Sequence, residues 1–415
     1  MNVQSITHFS QIKGLNVVGT GDFTHPKWLS ELKGSLTEDP DTGLYAPTVN
    51  PESNVRFIIT GEVCTIFDFE GKTRKIHHVI WTPNIEIAEQ INDSLSKYGS
   101  LSSDGRPTLN MSAPFLVDQI MNISEENFIF PAHAWTPWFS IFGAFGGFDR
   151  LEDCYQDMSS KIFALETGLS SDPPMNWRLS ALDRYTLLSN SDSHSAWPWR
   201  LGREANVFEL NKVTYWEIVD AIKKKDTRRF LFTIETDPAY GKYHWTGHRT
   251  CSVSMSPSEA IKNQNKCPVC GRRLTKGVEQ RVEELADRPV GFIPKNTPGY
   301  VHLLPLSEII SSVIGSDNLS SQKVWKIYNT LINKFGNEYN VLLKASLKDI
   351  AEVVESKIAD LIVRVREDKV KVIPGYDGVY GKLVVSEEKG KAVAIKTERF
   401  KANDTSKKAS LEDFM

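Results

Sequence analysis

Short apolar runs alternate with amphipathic stretches from residue 14 to about 235. LNVVGTGD, VRFIITGEVCTIF, KIHHVIW, NFIFPAH, KIFALETG, TLLSNSDSH and EANVFEL have strand length and strand composition, and a helical pattern lies near 84–97. Such alternation predicts a parallel α/β unit whose strand count suits a barrel of seven or eight strands. Residues 236–300 are rich in Gly, Pro and Cys and poor in long apolar runs, so this stretch requires a staple. From about 305 the period becomes helical. One helix is expected from Ser320 or Ser321 to Phe335, closed by Gly336. Another is expected after Ser346, where Ser346 and Asp349 make a capping pattern and Leu347, Ile350, Val354, Ile358, Leu361 and Val365 share a face. Pro374-Gly375 reads as a turn before the strand-like GKLVV. The expected division is therefore 1–235, 236–300, 301–385 and a mobile charged tail at 386–415.

Several predicted strands finish on metal-ligand residue types: Asp22, Glu62, His78, His133, and Asp192 with His194. In parallel α/β folds the carboxyl ends of the strands share one face, so these side chains are expected to converge. His77 is expected to point away. Imidazoles and carboxylates without thiols suit Zn, Mn, Fe or Mg with open positions for water or phosphate oxygens, the equipment of a metal-assisted hydrolase.

Five cysteines in 415 residues are too few and too unevenly grouped for a disulfide framework. Three of them belong to His248-x2-Cys251-x15-Cys267-x2-Cys270, which reads as a closed structural zinc site, with His244 as an alternative fourth ligand. No run of eighteen apolar residues exists and the N-terminus lacks a secretory pattern, so a cytoplasmic protein without a membrane partner is expected. The net charge of −3 makes no global case for nucleic acid. Within 241–300, however, Lys and Arg outnumber Asp and Glu ten to five, a candidate footprint for phosphates.

GTGDFTHPKWL, ITGEV, KIHHVIW, FPAHAWTPWFSIFG, ALETGLSSDPP, LSNSDSHSAWPWRLGREANVF, the Cys/His knuckle with VEELADRP, and PGYDGVYGKL resemble, in this order, the endonuclease Q family. The resemblance covers about residues 10 to 385. It implies a PHP-type distorted (β/α)7 barrel, then a small zinc-binding module and a helical C-terminal domain. The implied activity is cleavage of DNA 5′ to uracil, hypoxanthine, xanthine or an abasic site, with a divalent metal cluster in the barrel and one structural zinc. Carried over residue by residue, the cluster takes Asp22, Glu62, His78, His133, Asp192 and His194, with Glu166 of ALETG as a further candidate. At the second motif Phe23 stands where many PHP enzymes have a ligand, and His25 or Asp22 is expected to compensate. PHP domains open with a strand carrying H-x-H. No such motif precedes Asp22, so the family's first strand is expected to be missing here.

The resemblance also directs attention to DNA contacts. His25 is the candidate acid or base. Trp135, Trp138, Phe139, Phe142, Phe145 and Phe148 follow ligand His133 and read either as a wedge for an extruded base or as an ordinary core helix. Ser171 and Arg178 offer hydrogen bonds, Arg200 and Arg203 phosphate clamps, and Lys242, Arg249, Arg272 and Arg273 backbone contacts from the zinc module. Two alternatives stand beside this reading. One is a small-molecule phosphatase of the PHP type, and the other is a non-catalytic DNA-binding relative with an incomplete metal site.

Overall fold

The computed structural model describes residues 1–103, 105–388 and 391–394. Its organising element is a long antiparallel hairpin, Arg56–Phe69 with Lys72–Thr82. The turn between them, Glu70-Gly71, has positive φ at both residues (50° and 72°), the backbone twist that two-residue hairpins favour. Pairing runs Glu62 to Val79, Val63 to His78 and Cys64 to His77.

Because side chains alternate along a strand, this register sorts the hairpin into two faces. Val63, Ile76 and Ile80 are fully buried in the same core as Ala88 and Ile91 of helix Ile85–Leu95 and Leu116 and Ile120 of helix Ala113–Ile123. Each buried aliphatic of this kind contributes about 1.5–3 kcal/mol. Ile58, Val79 and Trp81 lie on the opposite face and border a solvent-open cavity of about 1540 Å³.

Strand Val17–Gly19 runs parallel to the hairpin's first strand, and Phe128–Pro131 antiparallel to its second. Ala164–Glu166 and Thr186–Leu188 form a separate parallel pair, and Ala205–Phe208, Phe230–Glu235 and Gly299–His302 form a three-stranded sheet. All the expected strands exist, but the strand pairing is mixed: parallel pairs such as Val17–Gly19 with Arg56–Phe69 and Ala164–Glu166 with Thr186–Leu188 stand beside the antiparallel hairpin. The strand holding KIHHVIW is antiparallel to both neighbours because a tight hairpin, not a crossover helix, delivers it. Among the described residues Val17–Gly19 pairs only with the hairpin and Ala205–Phe208 only with Phe230–Glu235, and both border the cavity.

The 306–366 region is helical: Leu306–Ile314, Gln322–Phe335, Leu347–Ala351 and Ser356–Arg366. Ser321 caps the second and Gly336, at φ 86°, ends it, as the sequence predicts. The single helix expected after Ser346 is instead two, with the poor helix formers Val353 and Val354 in the break. Lys13 joins this region to the first: its Nζ lies 2.7 Å from Glu338 Oε1 and donates to the Pro198 carbonyl at 2.8 Å. Lys382–Glu388 and Lys391–Ala394 pair as a hairpin, so regular structure extends past the expected start of the tail. The rest of that tail lies outside the described residues. No helix among the described residues is long and apolar enough to cross a membrane.

Candidate metal centre

Glu62, His77 and His133 meet at the edge of the cavity face, their ligand atoms all within 4.8 Å of one another. Glu62 Oε1 is 3.0 Å from His77 Nδ1 and 3.3 Å from His133 Nε2, and the two imidazole nitrogens are 3.0 Å apart. Ligand bonds of about 2.0–2.2 Å at octahedral to tetrahedral angles put neighbouring donors about 2.8–3.6 Å apart, so one carboxylate and two imidazoles fit a divalent cation here. Burial alone would raise the Glu62 carboxyl. Hydrogen bonds and charge from His133 and His77 outweigh it and hold Glu62 well below its ordinary range. His133 is pushed up by the same carboxylate against the effect of its burial, while burial lowers His77.

The surrounding chain fixes His133 from two sides. Its backbone N–H donates to Glu166 Oε2 at 2.7 Å, and its Nδ1 lies 3.1 Å from Thr136 Oγ1, leaving Nε2 for the centre. Behind it stands Gly168, at φ 60°, where a Cβ would come within 2.8 Å of His133 Cβ and 3.0 Å of its Cα. Only glycine fits there. His133 has φ 28°, Asp22 φ 51° and Asp192 φ 42°, left-handed backbone that the surrounding structure must stabilise and that gathers at functional sites.

His78 is not a member of this group. It is fully buried on the opposite face, with Nε2 2.9 Å from Thr65 Oγ1 and Nδ1 2.8 Å from the Tyr155 hydroxyl. Adjacent residues of a strand face opposite ways, so one of His77 and His78 had to be inside, and the register selects His77. Glu62 sits in mid-strand rather than at a strand end, because the hairpin runs on past the site. Arg106 was also invisible to spacing. Its Nη1 lies 3.2 Å from Glu62 Oε1 and 3.4 Å from His77 Nδ1, brought in by an irregular loop with no periodic signal.

Asp22, His25, Glu166, Asp192 and His194 border the same cavity. Asp192 Oδ1 is 3.5 Å from His194 Nε2. The two meet on an irregular loop after the strand rather than on an extended segment. Glu166 accepts from the Asn190 side chain at 2.8 Å, and burial, partly offset by His133, pushes its carboxyl up to about 7. The position expected of a ligand at 23 is filled by Phe23, fully buried against Gly61.

The second cluster is His248, Cys251, Cys267 and Cys270, again with ligand atoms within 4.8 Å of one another. His244 is not among them; its Nε2 faces Glu279 at 3.5 Å. Burial opposes ionisation of Cys267, but backbone N–H groups of Cys270 and Val269 and a hydrogen bond with His248 pull its thiol down to about 6. Three thiols and an imidazole at this separation fit a zinc ion with all four positions supplied by protein. Among the described residues the buried local core is Val253, Cys267 and Leu274, with Cys251 and Met255 packed against it.

The expected DNA-facing residues divide. Trp135 is 1% exposed and its indole N–H donates to Asn176 at 2.7 Å, while Ser171 is fully buried and donates to the Thr167 carbonyl, so neither lies on a surface. Arg178 is bound to Glu283 at 2.6 Å, clamping helix Val278–Leu285 to the first region. Arg200 and Arg203 share the field of Glu308, at the seam with the C-terminal helices. Trp138, Lys242, Arg249, Arg272 and Arg273 are exposed.

This arrangement defines a mixed α/β protein with one candidate metal-ligand group beside the cavity and a second, thiolate-rich candidate group. A family model described as the MJ0043 C-terminal domain matches residues 305–369. The chain is 36% identical over 262 residues to the uncharacterised protein MJ0043 of Methanocaldococcus jannaschii, but spans only 32% of that relative's length. It is 29% identical to the uncharacterised protein YqxK of Bacillus subtilis, over 90% of each chain. The crystal structure of the lesion-specific endonuclease PfuEndoQ from Pyrococcus furiosus superposes with a TM-score of 0.81 and 36% identity, covering 92% of this chain and 90% of that one. Endonuclease Q bound to a 27-mer duplex with an abasic lesion at its active site gives a TM-score of 0.80, with 36% identity, covering 92% of this chain and 91% of that one. The chain belongs to the endonuclease Q family.

Proposed function

We propose that this protein is a metal-dependent DNA repair endonuclease that hydrolyses the phosphodiester 5′ to a deaminated base or abasic site. The observation that carries this is the meeting of Glu62, His77 and His133 beside a cavity also bordered by Asp22, Asp192 and His194. On this reading residues 1–235 are a PHP-type barrel, 236–300 a zinc-stapled module and 301–385 a helical domain. A divalent ion at the three ligands supplies polarisation of a phosphoryl oxygen and a more acidic water. The chain's own residues do the rest. Glu62 keeps its negative charge on the site, Thr136 and Glu166 hold the orientation of His133, and Arg106 brings a fixed positive charge beside Glu62. His25, which borders the same cavity as Asp22, would hold or move a proton at the leaving oxygen. Lys242, Arg249, Arg272 and Arg273 neutralise backbone phosphates without reading sequence.

The test is a nicking assay on duplexes with one central abasic site or deoxyuridine, run beside phosphate release from a small monoester. Selective nicking of the damaged duplexes supports the reading. Monoester hydrolysis without nicking supports a small-molecule phosphatase instead, and inactivity on both with retained DNA binding supports a non-catalytic relative.

A further inference from the structure

Arg106 reaches the ligand group from a segment whose backbone is fixed on both sides. The Pro107 carbonyl accepts the Cys64 N–H at 2.9 Å, and Thr108 and Leu109 pair in parallel with Cys64 and Thr65. On the other side Gly105 packs so closely on Asp22 that a Cβ there would come within 2.6 Å of Asp22 Cγ. The hairpin thus delivers residue 106 beside Glu62, two positions before Cys64 on the same strand. The Arg106 side chain borders the cavity and is 29% exposed.

Its guanidinium contacts the atoms that a divalent ion requires. Nη1 lies 3.2 Å from Glu62 Oε1 and 3.4 Å from His77 Nδ1. Arginine only donates, so at His77 it engages the lone pair of the ring nitrogen. A carboxylate oxygen has lone pairs for two partners, but a ring nitrogen has one, so His77 Nδ1 serves either Arg106 or an ion. Neutralising Glu62 does not account for Arg106, since His77 at 3.0 Å and His133 at 3.3 Å already face that carboxylate. The cavity does need a cation here. Asp22, Glu62 and Asp192 all border it, and a phosphodiester entering among carboxylates meets like charge. A planar fork of donors beside the ion's ligands offsets that charge and matches phosphate oxygens.

We propose that Arg106 competes with the divalent ion for His77 and, with the ion held there, binds a non-bridging oxygen of the phosphodiester to be cut. This deepens the endonuclease reading and rests on it. Arg106 is then a catalytic residue whose place on the substrate depends on a loaded centre.

The test uses the full chain with zinc in its thiolate group and reads manganese binding directly, from the paramagnetic resonance of the unbound ion. Arg106→Ala binds manganese roughly 5- to 50-fold more tightly than wild type, because a neighbouring positive charge is gone. Its nicking of an abasic duplex at saturating manganese nevertheless falls about 100- to 1000-fold. Arg106→Gln, which keeps the chain but not the charge, behaves in the same way. Arg106→Lys recovers part of the nicking, as does methylguanidinium added to Arg106→Ala. A merely structural role would weaken manganese binding and nicking together. Manganese affinity of Arg106→Ala and Arg106→Gln at or below that of wild type overturns the competition, and nicking that holds at saturating manganese overturns the phosphate contact. Both results leave the endonuclease reading intact. A wild type that binds manganese but nicks no damaged duplex removes that reading, and the role of Arg106 with it.

Discussion

The two metal-ligand groups of this protein are built in opposite ways. The thiolate group is local: its four ligands span residues 248–270, close on one another, and are supported by a core of three buried residues. The Glu62–His77–His133 group draws on residues 71 positions apart and sits against one of the largest cores in the molecule. A local group with little apolar support depends on its ion for folding. A group embedded in a sheet is held by the fold and can leave positions open for chemistry.

The largest effect that separates them is unfolding. Chelation, or Cys267→Ser, is expected to open residues 246–275 to proteolysis while the 56–82 hairpin stays protected from hydrogen exchange. Simultaneous loss of both regions would erase the contrast. Next comes the pair of adjacent histidines. His77→Ala is expected to lower nicking of an abasic duplex at least about 100-fold with little change in melting, since it removes a ligand rather than core. His78→Ala should do the reverse. It leaves the Tyr155 hydroxyl unpaired and Thr65 with only the Ile76 carbonyl at 3.3 Å around a cavity, costing about 2–4 kcal/mol in denaturant unfolding, with activity per folded molecule retained.

Gly168→Ala sharpens the point that the second group is positioned by packing. A methyl there meets the His133 backbone and forces a left-handed alanine, costing about 1–3 kcal/mol and displacing His133, so nicking should fall although no ligand is altered. The smallest effect concerns the seam. Burial disfavours charge on His302, but hydrogen bonds to Asp172 at 3.2 Å and Asp368 at 3.4 Å outweigh it and raise its pKa to about 10. A raised folded-state pKa gives stability that is complete below the unfolded value near 6.5 and lost as pH climbs through 10. The stability difference between wild type and His302→Asn, measured by denaturation from pH 6 to 10, should therefore shrink as pH rises.

The same contrast explains what was legible in the sequence. His248, Cys251, Cys267 and Cys270 are found by spacing, because their geometry is set within two short turns. Glu62 and His133 are found because an apolar run precedes each, although Glu62 arrives from mid-strand. The choice between His77 and His78 is not local. Alternation says that they oppose each other, and only the pairing of His77 with Cys64 and of His78 with the helix-covered Val63 says which shares the face of Glu62. Arg106 lies on a loop, and its role depends on where residues 44 positions upstream place a carboxylate. Trp135 and Trp138 are three apart, yet one is a core residue anchored by Asn176 and the other is surface, because the 134–148 segment is a tight irregular turn and not the helix its spacing suggests.

Elemental analysis of purified wild type, His77→Ala and His78→Ala tests the central claim most directly. Wild type and His78→Ala should each carry the thiolate-bound zinc and at least one further divalent ion per chain, whereas His77→Ala should keep the zinc alone. A His77→Ala protein with its full metal complement, or a His78→Ala protein that loses the second ion, would contradict the assignment of the centre.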